Sequence, residues 1–210
     1  MTTSRHTAAP MLTPAETAVV AGVSVRDVNR MIDESILPEA MYSVGADGAR
    51  RFSADACPWI ALYFHAADCL TSQERIRIIA ESSDDAGNAA LRRRSGFLTI
   101  DISSFVRESR KRLARLLEAS TIVTEAPGIL GGLPVVKGTR IPIHDLAASA
   151  AAGIAQERIL AAYPGLTAGT LSLAILYAQA NPPRGRRRRS GLPAGAVIVS
   201  SRRRPRRQAA

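Results

Sequence analysis

The chain is poor in several things, and each shortage removes a class of explanation. Only two of its 210 residues are cysteine, Cys57 and Cys69. That is too few for the disulfide framework of a small secreted domain, so reduced, buried thiols are expected. Aromatic residues make up 4%, leaving Ala, Val, Leu and Ile to fill the interior. No apolar run reaches the ~18 residues that a membrane span requires. The opening MTTSRHTAAP has no apolar stretch of the kind a signal peptide carries, and a cytoplasmic location is expected.

Catalytic vocabulary is equally thin. Histidine occurs at His6, His65 and His144 alone, and neither G-x-S-x-G nor H-E-x-x-H is present. Asp84 and Asp85 fall in a polar connector, not at a paired-carboxylate site. His65 and Cys69 are spaced i, i+4 with Cys57 upstream, but three soft ligands without C-x-x-C spacing make a poor zinc site. The residues point to no enzyme, no metal and no cofactor.

The last shortage is of negative charge at one end. The formal net charge is +10, yet residues 1–183 carry eighteen cationic and eighteen anionic side chains. The excess is ten arginines beyond residue 183, and no acidic residue follows Glu157. A neutral body with a basic end suits a polyanionic partner: nucleic acid, an acidic protein face or anionic lipid.

What is present begins with a helix start. Residues 1–10 read as disordered. Thr13 is placed as an N-cap, Pro14 at the first helical position and Glu16 as the far side of a capping box. Gly22-Val23-Ser24 supplies a tight turn and a new N-cap, after which Val25, Val28 and Ile32 share a face. Two helices joined by a glycine turn form a helix-turn-helix pattern. The exposed face of the second helix would carry Arg26, Asn29 and Arg30, which suit phosphates and base edges. MYSVGADGARRF then reads as a hairpin turning at Gly45–Gly48, with Arg50 and Arg51 on the returning strand as a wing would have them. Ser53 opens a helix that includes Trp59, Leu62, Tyr63 and Cys69, and SQERIRIIAE packs behind it. A winged helix-turn-helix over residues 11–85 accounts for this region, with Ser24, Arg26, Asn29, Arg30, Arg50 and Arg51 at operator DNA.

Residues 86–120 read as a strand, GFLTIDI, and a long amphipathic helix capped by Ser103, with Phe105, Leu113, Leu116 and Leu117 on its apolar side. Such a unit suits either a dimer interface or packing within the chain. Over residues 121–181, GGLPVVKGTRIPI is no phosphate-binding loop, because Lys137-Gly138-Thr139 has the wrong order and Pro142 follows. It reads as two short strands, 134–136 and 140–143, folded at Lys137-Gly138. His144 or Asp145 starts a helix that Gly153 ends, 155–163 form a second, and Thr167 caps a third containing Gly169. The glycines are structural. The expected architecture is mainly α with short β hairpins: a winged helix-turn-helix unit, a small three-helix unit resembling a helix-turn-helix, and a basic tail over 182–210.

The motif residues Gly132, Pro134, Gly138, Thr139, Arg140 and Pro142, with Tyr163-Pro164-Gly165-Leu166-Thr167 and Tyr177-Ala178 ahead of Pro182, resemble the family described as domain of unknown function 433. The chain as a whole resembles VapB-type antitoxins in which that domain follows a helix-turn-helix. The resemblance implies a homodimeric type II antitoxin that represses its own operon and neutralises a PIN-like ribonuclease toxin. It makes Arg184, Arg186, Arg187, Arg188 and Arg189 the toxin-facing residues, since guanidinium groups can pair with the carboxylates of such an active site. The alternative is a stand-alone DNA-binding regulator whose tail grips phosphate.

Overall fold

A computed structural model describes residues 9–81, 92–95 and 98–183. The expectations of disorder over 1–10 and of a toxin-binding arginine tail therefore fall mostly or wholly outside the described residues. The described chain is mainly helical with short antiparallel strand pairs.

Chain order begins with β1 (Met11–Leu12), α1 (Pro14–Ala21) and α2 (Val25–Asp33). Thr13 and Glu16 close a reciprocal capping box on α1, and Ser24 and Asp27 close another on α2. Each box satisfies amide groups that a helix start leaves without intrahelical partners. Between the helices Gly22 adopts φ 72°, a left-handed conformation that costs glycine nothing. The hairpin β2 (Tyr42–Val44) and β3 (Arg50–Ser53) forms as read, and Gly48 N–H donates to Gly45 O at 2.9 Å. β1 was not foreseen: it pairs with β3, Leu12 opposite Phe52, to give a three-stranded sheet in the order β1-β3-β2. Two residues are too short a run for periodicity to reveal.

Helices α3 (Cys57–His65) and α4 (Ser72–Ala80) follow. α3 stops at His65, so Cys69 lies beyond it, exposed, while Cys57 is buried. Burial and then the nearby Asp55 carboxylate push the Cys57 thiol up to about 12. The expectation of two buried thiols thus holds for one. Arg75 of α4 is buried with no carboxylate partner among the described residues. It donates instead to Tyr63 O, Thr71 O and Ser72 Oγ, and its guanidinium lies 4.5 Å from the centre of the Tyr63 ring. Neutral acceptors and a π face replace the counter-ion, latching α4 to the end of α3.

β4 (Arg92–Ser95) pairs with β5 (Leu98–Asp101), so the strand read over GFLTIDI has a hairpin partner that went unseen. α5 spans Ser103–Thr121. Ser103 is its first residue, not its cap; its N–H donates to Asp101 Oδ1 at 2.8 Å. α5 packs within the chain against α1 and α3, burying Val106 and Leu116, while Leu117 stands exposed. The amphipathic reading misplaced Leu117: the buried positions of α5 are Val106, Ser109, Leu116 and Ala119, a stripe that takes in two small residues and leaves Leu117 outside it. The same holds for Val25 of α2, which is exposed while Met31 is fully buried.

The remaining elements are β6 (Val123–Thr124), β7 (Val135–Val136), α6 (Ile143–Ala151), α7 (Gln156–Ala162) and α8 (Ala168–Ala180). β7 does pair, but its strand partner is β6; the 140–143 segment contributes one bridge, Pro142 to Val135, because α6 already begins at Ile143. Two cores result. The larger centres on Phe52, Met31, Ile60, Leu62 and Ile78, the smaller on Ile143, Leu146, Ile159 and Leu171. α8 belongs to both: Ala180 joins the first, while Leu171, Ala174 and Ala178 join the second.

Candidate nucleic-acid interface

Ser24, Arg26, Asn29 and Arg30 line one open surface along α2, and Arg50 of the returning strand bonds onto it. Arg51, next to Arg50 in β3, points to the opposite face of the strand from Arg50 and buried Phe52. Their side chains are not equally available. The Ser24 hydroxyl accepts from Asp27 N and donates to Asp27 Oδ2 at 2.7 Å, so it is consumed by the capping box. Asn29 Nδ2 donates to Val25 O at 3.0 Å, and its Oδ1 accepts from Arg50 Nη1 at 3.1 Å. The second Arg50 nitrogen reaches Asp33 Oδ1 at 2.5 Å. Arg50 therefore clamps the hairpin to α2. Its side chain is 29% exposed, which removes it from the free surface.

Arg30 pairs with Glu34 one turn on, at 2.7 Å and well exposed; this hydrogen bond and the carboxylate charge raise the Arg30 pKa. Such an exposed i, i+4 pair adds little to stability, because solvent and salt screen it. Arg26 and Arg51 are exposed and make no ion pair or side-chain hydrogen bond among the described residues. Three carboxylates share the face, but Asp33 and Glu34 are neutralised by Arg50 and Arg30. Charge without an ion-pair partner among the described residues comes there to Asp27 against Arg26, with Arg51 adding one cation from the other face of β3. Spacing along the chain could not have shown the clamp, because Arg50 and Asn29 are 21 residues apart.

In the C-terminal region the motif residues are mostly accounted for by backbone geometry. Gly138 has φ 77° at the turn, and the Thr139 hydroxyl donates to Val136 O at 2.8 Å while accepting from Ile141 N at 3.1 Å. Pro134 O accepts from Ile143 N at 3.0 Å, and Pro142 precedes α6. Gly132 is left-handed with φ 85°. Arg140 alone is exposed with no partner among the described residues. Tyr177 Oη donates to Glu125 Oε1 at 3.1 Å, tying α8 to the segment after β6, and burial followed by that bond pushes the phenol up to about 12. Among the described residues no three His, Cys, Asp or Glu side chains gather as metal ligands, and no helix is long and apolar enough to cross a membrane.

Residues 123–178 match the family described as "Protein of unknown function (DUF433)". Over 212 residues the chain is 51% identical to "Uncharacterized protein y4eO" of Sinorhizobium fredii (strain NBRC 101917 / NGR234), and the alignment covers 95% of each. The chain belongs to the y4eO family. In it, the DUF433 region is the smaller core with its strand pair and three helices, and the α2–hairpin face lies wholly in front of that region. No solved structure matches this y4eO-family chain.

Proposed function

We propose that this protein is the antitoxin of a type II toxin–antitoxin pair, a homodimeric DNA-binding repressor of its own promoter that also neutralises a PIN-like ribonuclease. The observation that carries the DNA reading is the Arg50 clamp. By holding the hairpin on α2 through Asn29 and Asp33, it makes a wing beside a helix-turn-helix and leaves Arg26 and Arg51 as its unpaired cations. In this reading α2 approaches a major groove and those two arginines meet phosphates. Asn29 reads a base edge only when Arg50 releases its carbonyl oxygen.

The antitoxin reading is supported by the DUF433 region and the arginine-rich sequence after it. Five arginines at 184 and 186–189 suit a carboxylate-lined ribonuclease site. A second reading, a stand-alone regulator, is favoured by the tail's charge alone, ten arginines without an acid. If six of them met phosphate, the log–log salt dependence of DNA binding would steepen by about five units.

Two measurements on the full chain separate these readings. Arg26→Ala with Arg51→Ala weakens binding to the protein's own promoter fragment and flattens the salt slope by about two units; an unchanged slope removes the DNA reading. Changing Arg184, Arg186, Arg187, Arg188 and Arg189 to Gln abolishes capture of the neighbouring gene's product while promoter binding persists. If the unaltered chain captures nothing yet binds the promoter, the protein is a regulator and not an antitoxin.

A further inference from the structure

An open trough of about 650 Å³ runs between α1, α5 and α8 and reaches the turn before α2. It adjoins the α2–hairpin face at Ser24, which lines both. Ala18, Val19, Val23, Ile175 and Leu176 supply its apolar surface. Arg112 and Arg115 of α5 stand on one wall, and no Asp or Glu among the described residues lines it. Neither guanidinium has a carboxylate partner among the described residues.

Both arginines are held in place. Arg115 Nη2 donates to Ser172 Oγ at 2.8 Å. Arg112 packs onto the backbone of Gly22, where an added Cβ would collide with its guanidinium. Packing at the negative end of the α1 dipole explains where Arg112 rests. It leaves unexplained why a second fixed cation and an apolar channel adjoin it. A trough of this volume is in the range that takes one small molecule, and its chemistry asks for an apolar body with an anionic head.

We propose that this trough binds a small amphipathic carboxylate, its chain against Val19, Val23, Ile175 and Leu176 and its head between Arg112 and Arg115. The site does not depend on the DNA or antitoxin reading. The chain's own arginine-rich end is an unsuitable occupant, because it would place like charge against Arg112 and Arg115.

Decanoate, decanol and decyltrimethylammonium serve as probes, titrated into the full chain with the methyl resonances of Val19, Val23, Ile175 and Leu176 observed. Decanoate is expected to shift those methyls and to bind about ten-fold more tightly than decanol, with the cationic probe weakest. Added salt should weaken decanoate and spare decanol. Arg112→Gln and Arg115→Gln should each remove most of the preference, whereas Arg77→Gln, which deletes a cation elsewhere, should leave it intact; circular dichroism checks that each variant is folded. Decanol binding as tightly as decanoate, or methyl shifts located outside the trough, would overturn the proposal. So would the absence of decanoate binding together with an Arg112→Gln variant of altered oligomeric state, which would make the trough a self-association surface.

Discussion

The N-terminal unit and the DUF433 region solve the same problem, starting short helices, by different means. Three N-terminal helices open with reciprocal capping boxes: Thr13 with Glu16, Ser24 with Asp27 and Thr71 with Glu74. In the DUF433 region α6 and α7 have no side-chain cap, and α8 has Thr167 without a reciprocal carboxylate: its hydroxyl accepts from Thr170 N and shares a hydrogen bond with the Thr170 hydroxyl. There α6 starts after Pro142, behind the left-handed turn at Gly138, and packs on α8, while α7 packs on α6. Helices of the first kind announce themselves locally. Those of the second kind depend on what they touch.

The largest test of the contrast removes one core anchor from each region. Phe52→Ala should cost about 3–5 kcal/mol and Leu146→Ala about 2–5 kcal/mol, since both side chains are fully buried. Because α8 lines both cores, each variant should unfold in one transition by calorimetry. Two separated transitions would show that the regions melt independently.

Next in size is the left-handed turn. Gly138→Ala meets no steric obstacle, so its cost is the conformational penalty alone, about 1–2 kcal/mol by urea denaturation. A smaller loss would mean that the DUF433 turn relaxes.

Capping should respond with opposite signs in the two regions. Thr13→Ala is expected to destabilise by about 1 kcal/mol, whereas Ala155→Asp, which supplies α7 with a cap, should stabilise by about 0.5–1 kcal/mol. Ala155 is exposed and already extended at φ −58°, ψ 142°, so the new carboxylate needs no backbone movement.

The smallest effects lie at opposite ends of the pH scale. Glu74 accepts from the Thr71 hydroxyl and N–H, and these bonds hold its carboxyl below the usual value. A depressed folded pKa gives stability that is present above the unfolded value and lost as pH falls through the folded one. Amides in the first turn of α4 should therefore exchange with solvent more readily at acid pH, after correction for intrinsic rates. Tyr177 has the reverse sign. Its pKa is raised to about 12, so its contribution is full below the ordinary phenol value and lost as pH rises through the folded one. Tyr177→Phe should abolish that alkaline loss and cost about 0.5–1 kcal/mol at neutral pH.

The sequence by itself determined the elements whose causes lie within a few residues of one another. The capping box at Thr13, the N-cap at Ser24, the glycine turn at Gly22, the hairpin around Gly45–Gly48 and the Thr167 cap are all local bargains between side chains and nearby amides, and each is legible as a pattern. The GTRIP motif was legible too, as a turn and not a phosphate loop. Only the tertiary structure decided which strand β7 would pair with, that β1 would complete a sheet, that α5 would pack inside the chain, and which cations of the candidate interface would remain free. Arg50 appeared in the sequence as one of two equivalent wing arginines. Its capture by Asn29 and Asp33 required a hairpin folded back onto a helix, and a bond across that distance in the chain forms only once packing has brought the ends together. Local signals chose the N-terminal helices, and the burial of α8 in both cores, with α5 packed against it, chose the arrangement.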